Sequence, residues 1–155
     1  AQAAEVIGRY SGIAPKIDRR LRERNIGTWQ GLRLDEVAQW FPDEYATYMA
    51  DRMNFKFPNG ESLKEVQDRM REVFSDILKE DAGETIAVVS HTVSIRVLLA
   101  HLLEGYDPIV ARLGNSSVTT IERTATGWRM VVPNDVTHLE GLESRIVHEM
   151  EDKLR

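Results

Sequence analysis

One histidine lies where an α/β protein would place a reactive side chain. His91 follows the segment Thr85–Ser90, which is apolar and rich in β-branched residues and is therefore predicted to be a buried strand. After His91, apolar residues recur at helical spacing as far as Leu103. Open α/β sheets bind ligands between the carboxyl end of a strand and the next helix, where free N–H groups attract anions. His91 could therefore donate a hydrogen bond to a phosphate or act as an acid, a base or a nucleophile, with a linker histidine bonded to the backbone as the alternative.

A second polar cluster, LRERNIGTWQG, spans residues 21–31 and contains two glycines. Its carboxylate, Glu23, stands between two arginines and is followed closely by an amide. A loop of this kind can bring backbone groups and side-chain donors close to a ligand, and Glu23 could donate a proton to a leaving oxygen. Composition alone favours a plainer interpretation, a solvated charged turn with Trp29 packed beneath it.

The composition excludes several classes of protein. The chain of 155 residues has a formal net charge of −5 and no cysteine. An acidic chain argues against general binding of nucleic acid or anionic membranes, since both need a basic surface, although it leaves room for a local basic pocket. Without cysteine there is no disulfide scaffold, and no apolar run reaches the roughly 18–20 residues of a membrane span. We therefore expect a cytoplasmic enzyme or binding domain.

Two other kinds of site receive little support from the spacing of residues. Ser90 and His91 are neighbours, and adjacent side chains diverge on an extended backbone, so they cannot form a nucleophile–base pair on their own. No pair of histidines has the HExxH spacing of a zinc site. The four histidines are His91, His101, His138 and His148.

The periodicity of apolar residues predicts one α/β unit with long helices and few strands. Ser62 and Glu65 have the spacing of a capping box at the start of the longest helix. The helices are predicted over residues 1–11, 32–41, 43–52, 63–80 and 93–103, the strands over 85–90, 117–123 and 128–132, and a tail helix over 141–155.

Several short segments, taken in chain order, together resemble one known family. They are Asp18–Gly31, Asn59–Ser62 with Arg69 downstream, Val88–His91, Gly114–Val118 and Asn134–Leu139. The chain resembles the histidine phosphatase superfamily, the phosphoglycerate-mutase-like fold, in its small phosphatase branch. The resemblance implies a three-layer α/β fold with a mostly parallel central sheet, whose N-terminal strands are absent from this chain. It covers a domain at residues 1–140, and residues 141–155 lie outside it as a C-terminal tail helix.

The resemblance also implies a mechanism and a set of site residues. In this family one histidine attacks the substrate phosphorus, and water or a second substrate then takes the phosphoryl group. His91 matches the second active-site histidine, which holds the transferring oxygens, and Glu23 matches the acid that protonates the leaving alkoxide. We expect Arg22, Asn25 and Thr92 to contact the substrate. No metal and no organic cofactor is implied.

The sequence departs from the family pattern at the nucleophile. The family's nucleophilic histidine lies in an Arg-His-Gly motif, and this sequence contains no Arg-His dipeptide. The first five residues, AQAAE, resemble the start of a helix that follows a phosphate-binding arginine in the family. We therefore expect the nucleophile upstream of residue 1, in a longer protein of which this chain is a piece. A truncation without catalysis is the alternative. Thr92 also replaces the usual glycine after the second histidine, which could narrow the phosphate pocket.

These expectations define the proposed activity and its alternatives. We expect a phosphomonoesterase acting on a small phosphorylated substrate, with neither nucleic acid nor membrane as a partner. The chain alone is expected to be inactive, because its sheet needs the N-terminal segment, a second chain or a homodimer to complete it. The alternatives are a phosphoglycerate-mutase-type phosphotransferase and an inactive module that binds a phosphorylated ligand or a protein partner.

Overall fold

The computed structural model describes residues 2–80 and 85–141, and these contain both helices and strands. They form two compact units, Ala1–Ala111 and Arg112–Arg155. The first unit holds α1 (Gln2–Ser11), α2 (Leu34–Trp40), α3 (Pro42–Ala50), α4 (Leu63–Glu80) and α5 (Thr92–Leu102), and the second holds β1 (Val118–Thr124) and β2 (Gly127–Asp135). The predicted mixture of helices and strands is therefore confirmed. No helix within the described residues is both long and apolar enough to span a bilayer.

The longest helix, α4, begins at the predicted capping box. The Ser62 hydroxyl accepts a hydrogen bond from the Glu65 N–H (3.0 Å), and the Glu65 carboxylate accepts one from the Ser62 N–H (2.8 Å). Two backbone donors that the first turn would leave unpaired are satisfied in this way. The predicted apolar stripe of α4 then faces inward.

The core between α4 and α5 fixes the position of α5. Its buried members are Leu63, Val66, Met70, Val73, Val97 and Leu98. Burying side chains of this size contributes roughly 1.5–3 kcal/mol each. The amino end of α5, where His91 is the N-cap residue, is therefore held by the packing of α5 against α4.

A second core is aromatic and supports residues 21–31. Trp29 is 4% exposed and packs with Tyr48 and Phe57, whose rings cross its own at 72° with centroids 5.4 and 4.9 Å away. The Trp29 indole N–H donates to a Glu44 carboxylate oxygen (3.1 Å). Trp29 is thus packed as predicted, and it anchors the segment that carries Glu23.

The strand predicted at Thr85–Ser90 is not observed. These residues enter no sheet with any described residue, and their side chains are not fully buried, since exposed and half-buried positions alternate along the segment. The alternation is that of a pleated strand, but a strand also needs a neighbour to take its backbone hydrogen bonds. The prediction was therefore wrong for the chain as it stands, because β propensity cannot supply that neighbour.

The predicted hairpin in the second unit is confirmed. Strands β1 and β2 pair antiparallel, with Thr124 opposite Gly127 at the turn and with register irregularities around Thr120. Within the described residues this is the whole sheet, so the mostly parallel central sheet and the three layers stay predictions. The proposed domain at residues 1–140 also stays a prediction, and the tail helix predicted over 141–155 falls, from residue 142 on, outside the described residues.

Helix α3 begins one residue earlier than predicted. Pro42 occupies its first turn, and Asp43, the predicted first residue, lies inside that turn. Proline suits this position, because its fixed φ matches the helix and its missing N–H is not needed there. An acidic residue in the first turn is also stabilised by the positive end of the helix dipole.

Candidate functional site

The two predicted catalytic residues meet at the amino end of α5. The Glu23 carboxylate accepts hydrogen bonds from the backbone N–H of Val93 (3.1 Å) and of Ser94 (3.2 Å), about seventy positions along the chain. His91 is the N-cap residue of the same helix, and its side chain is exposed. A carboxylate and an accessible imidazole are therefore brought to one helix end, where the dipole favours negative charge.

Two serines hold the Glu23 segment against this helix end. The hydroxyl of Ser94, which is fully buried, donates to the carbonyl of Arg22 (2.6 Å) and lies 3.3 Å from a Glu23 carboxylate oxygen. The Ser90 hydroxyl donates to the carbonyl of Leu21 (2.7 Å). Sequence reasoning assigned no role to these serines. The one sequence feature that could have indicated such a role is the position of Ser94, a polar residue in an otherwise apolar helical stripe.

Arg69 binds the backbone of the Glu23 segment from the other side. Its guanidinium donates to the carbonyls of Arg20 (2.6 Å), Arg22 (2.9 Å) and Glu23 (3.2 Å). It also pairs with the carboxylate of Glu61 at 2.8 and 3.1 Å, and both side chains are nearly buried, at 10% and 14% exposure. Arg69 and Glu61 were recognised only as part of a family-like segment, and their positioning of the Glu23 segment was missed.

The loop that follows Glu23 is fixed by a close backbone contact. Gly27 has a φ of +54°, and a Cβ placed there would lie 1.9 Å from the carbonyl oxygen of Pro58. The Thr28 N–H donates to that same oxygen (3.0 Å). Only glycine allows the two loops to approach so closely.

The predicted substrate-binding residues lie in different environments. Thr92 is the first residue of α5, directly beside His91. The Arg22 guanidinium, which is 53% exposed, binds the Glu61 carboxylate at 2.7 Å. Asn25 uses its amide within the loop, where it donates to the Asn59 carbonyl (3.1 Å) and accepts from the Gly27 N–H (2.9 Å). The structure thus brings Thr92 to the His91–Glu23 site and ties Arg22 and Asn25 to the neighbouring Glu61 loop.

The Glu61 carboxylate is held in its charged form. Burial by itself raises the pKa of Glu61, but hydrogen bonds from the Arg69 side chain and the Asn25 N–H, with the charges of Arg69 and Arg22, outweigh burial. The pKa of Glu61 therefore lies below its ordinary value of 4.5. Because the folded-state pKa is the lower one, the interaction stabilises the fold above pH 4.5 and is lost as the pH falls through and below that value.

We therefore expect Glu61→Gln to lower the free energy of unfolding at neutral pH by about 2–3 kcal/mol, since Arg69 loses its charged partner. The difference from the wild type should shrink between about pH 5 and pH 3, where the native carboxylate is itself protonated. Urea unfolding at several pH values measures both effects. Glu72→Gln is the matched control, because the Glu72 side chain is 67% exposed and an exposed pair with Arg20 contributes little. A Glu61 effect that did not change with pH would contradict this account.

Comparison with known proteins assigns the family. Residues 1–136 match the histidine phosphatase superfamily, branch 1. The chain is 33% identical over 143 residues to phosphoglycerate mutase-like protein 4 of Arabidopsis thaliana, an alignment that covers 90% of this chain and 61% of that protein.

Solved structures show the same fold. YhfR of Bacillus stearothermophilus superposes with a TM-score of 0.75 at 28% identity, over 89% of this chain and 70% of that one. A mycobacterial glucosyl-3-phosphoglycerate phosphatase, solved with inorganic phosphate, gives a TM-score of 0.70 at 26% identity, over 83% and 69% of the two chains. The resemblance noted in the sequence is thereby confirmed: the chain has a mixed α/β fold and belongs to the histidine phosphatase superfamily.

Proposed function

We propose that the complete protein is a phosphomonoesterase that acts through a phosphohistidine intermediate. The observation that carries this proposal is the docking of the Glu23 carboxylate on the amino end of α5, beside the exposed His91. Members of this superfamily and its neighbours are phosphatases and mutases, which agrees with phosphoryl transfer at such a site. The amino end of α5 brings together an imidazole, a carboxyl group and backbone N–H groups, and transfer of a phosphoryl group needs groups of this kind around the reacting phosphorus.

The proposed reaction has two steps. A histidine that precedes residue 1 in the complete protein attacks the phosphorus, a P–N bond forms, and the P–O bond to the leaving alcohol breaks. Glu23 gives its proton to the departing oxygen. Water then attacks the phosphohistidine, its proton passes to Glu23, and inorganic phosphate leaves as the P–N bond breaks. His91 donates a hydrogen bond to the equatorial oxygens in both steps.

The nucleophile is assigned to the complete protein for two reasons. This sequence has no Arg-His dipeptide, and it spans 61–70% of the length of the related chains described above.

Residues 85–90 also lack a paired neighbour among the described residues. We propose that the upstream segment, or a second chain in a homodimer, pairs with Thr85–Ser90 and completes a three-layer fold around a mostly parallel sheet. The 155 residues alone are then inactive.

The remaining assignments follow from the same site. We propose that Thr92 and Arg22 face the bound phosphoryl group and that Asn25 shapes the loop beside it. The scheme uses neither a metal nor an organic cofactor, and the protein works in the cytoplasm. A phosphoglycerate-mutase-type phosphotransferase is the second candidate, because the relative from Arabidopsis thaliana is named phosphoglycerate mutase-like protein 4.

Trapping the intermediate tests the proposal. The complete protein, mixed with a ³²P-labelled phosphomonoester and quenched with alkali, should retain a label that is stable to base and released by acid, as expected for a phosphohistidine. Inorganic phosphate should accumulate with turnover. Label transferred to a second alcohol without phosphate release would favour the mutase, and the absence of both label and turnover would favour a binding module.

A further inference from the structure

A cavity of about 270 Å³ lies beside the candidate site, in the first unit. Its lining combines three arginines with the aromatic core, and no aspartate or glutamate contributes to it. The residues that matter here are Arg24, Arg52, Arg96, Trp29, Tyr48 and Phe57. Three cationic groups against aromatic walls are unexpected in a chain with a formal net charge of −5.

None of the three guanidinium groups forms an ion pair with a carboxylate among residues 2–80 and 85–141. Arg24 donates to the carbonyls of Glu61 (3.0 Å) and Phe55 (3.3 Å) and lies 4.3 Å from the centre of the Phe57 ring. Arg52 donates to the Tyr48 hydroxyl (3.1 Å) and lies over the same tyrosine ring. The direct partners are therefore neutral, and the charges of Glu61 and Glu23 act on Arg24 only from beyond ion-pairing distance.

Arg96 adds an unsatisfied donor. It binds the carbonyl of Pro108, but its Nε is buried and has no hydrogen-bond partner among the described residues. Buried donors are almost always paired in folded proteins, so the Arg96 guanidinium keeps hydrogen-bonding capacity that the described residues do not use. Burial lowers the pKa of Arg24 to about 10, which still leaves that guanidinium charged at neutral pH.

The cavity adjoins the place where the leaving group would lie. Val93 lines it, and the backbone N–H of Val93 donates to the Glu23 carboxylate. Arg24, which directly follows Glu23, lines it as well. A substrate whose leaving oxygen meets Glu23 would therefore direct the rest of its alcohol toward the three arginines.

We propose that this cavity binds the alcohol part of the substrate and selects phosphomonoesters whose alcohol carries a second anionic group on an apolar body. The proposal rests on the proposed function of the neighbouring site. A carboxylate or a second phosphate supplies the same chemistry, because guanidinium groups bind both through paired hydrogen bonds. The aromatic walls take the apolar body and exclude water, which strengthens the ionic contacts.

Three matched aryl phosphates test the proposal in the complete protein: 3-carboxyphenyl phosphate, benzene-1,3-diyl bisphosphate and the neutral 3-carbamoylphenyl phosphate. The wild type should show a kcat/KM about tenfold or more higher for at least one anionic compound than for the carbamoyl compound. The anionic compound with the larger increase in kcat/KM over the carbamoyl compound identifies the preferred anionic group. Equal values for all three compounds would overturn the proposal.

Two variants and a control distinguish a loss of anion recognition in the cavity from a general loss of activity. Arg52→Gln should lower kcat/KM for the preferred anionic compound about tenfold more than for the carbamoyl compound, and Arg52→Lys should restore part of the preference. Arg71 lies on α4 with its side chain 58% exposed, and Arg71→Gln should leave the preference for the anionic compound unchanged. An equal loss on all substrates in Arg52→Gln would show a structural role only and overturn the proposal.

A binding measurement keeps the two proposals distinct. If the wild type hydrolyses none of the three compounds, the proposed function fails. Calorimetric titration with benzoate and benzamide then tests the proposal about the cavity independently of catalysis. Selective binding of benzoate that Arg52→Gln weakens about tenfold would support it, and equal binding or no binding of the two would overturn it.

Discussion

The complete protein with His91→Ala should turn over p-nitrophenyl phosphate about 100-fold or more slowly than the wild type, because it loses a donor to the charge that develops on the phosphoryl oxygens. The loss should fall mainly on kcat. The fold should survive, since the His91 side chain is exposed and makes no capping hydrogen bond to α5.

His101→Ala is the matched control for this variant. His101 lies in the last turn of the same helix, and its side chain is exposed. It should leave kcat within about twofold of the wild type, since surface changes away from a site have small effects. Both variants should unfold at nearly the wild-type urea concentration. Unchanged turnover in His91→Ala would remove His91 from the phosphoryl site.

Glu23→Gln should slow an alkyl phosphate by about 100-fold or more and p-nitrophenyl phosphate much less. Only the alkyl phosphate has a poor leaving group that needs a proton in the transition state. The amide keeps the shape of the carboxyl group, but the N–H groups of Val93 and Ser94 bind different carboxylate oxygens, so the amide oxygen can accept from only one of them. The packing of α5 against α4 is not touched by the change. The amino end of α5 should therefore stay in place.

The comparison of the two substrates is the measurement that matters for Glu23. Glu72→Gln is the matched control, since Glu72 is an exposed residue of α4 that binds Arg20. It should change neither rate. Equal losses on both substrates in Glu23→Gln would show that Glu23 supports the structure of the site and does not act as its proton donor.

The sequence predicted those parts of the fold that local chemistry determines. Helix α4 was predictable because its capping box and apolar stripe agree, and the hairpin because its turn and strands agree. The strand at Thr85–Ser90 was predicted from the same kind of evidence, but this segment pairs with no described residue. A helix satisfies most of its own backbone hydrogen bonds, whereas a strand depends on a neighbour that is often distant in the chain or belongs to another chain.

The candidate site was predictable in its members but not in its contacts. Glu23 and His91 were identified by their surroundings and by the family resemblance. The hydrogen bonds from Val93 and Ser94 to Glu23 depend on how α5 packs, and no local pattern encodes that packing. The reach of Arg69 to three carbonyls was equally invisible, because the path of a long side chain is set by tertiary structure.

The basic cavity shows why total charge is a weak guide to a binding site. A net charge of −5 argued only against a broad basic surface. Arg24, Arg52 and Arg96 are far apart in sequence, and no local pattern links them. Their convergence on one cavity became visible only when the aromatic core and α5 were placed together.

A crystal structure of the complete protein with bound orthovanadate tests the central claim most directly. Vanadate adopts the five-coordinate geometry of phosphoryl transfer, so the groups around it are those that act on the reacting phosphorus. We expect a histidine from upstream of residue 1 bonded to vanadium, the His91 imidazole within hydrogen-bonding distance of an equatorial oxygen, and the Glu23 carboxyl group beside the apical oxygen opposite the nucleophile. Vanadate bound elsewhere, or bound here without contact to His91 and Glu23, would contradict the account.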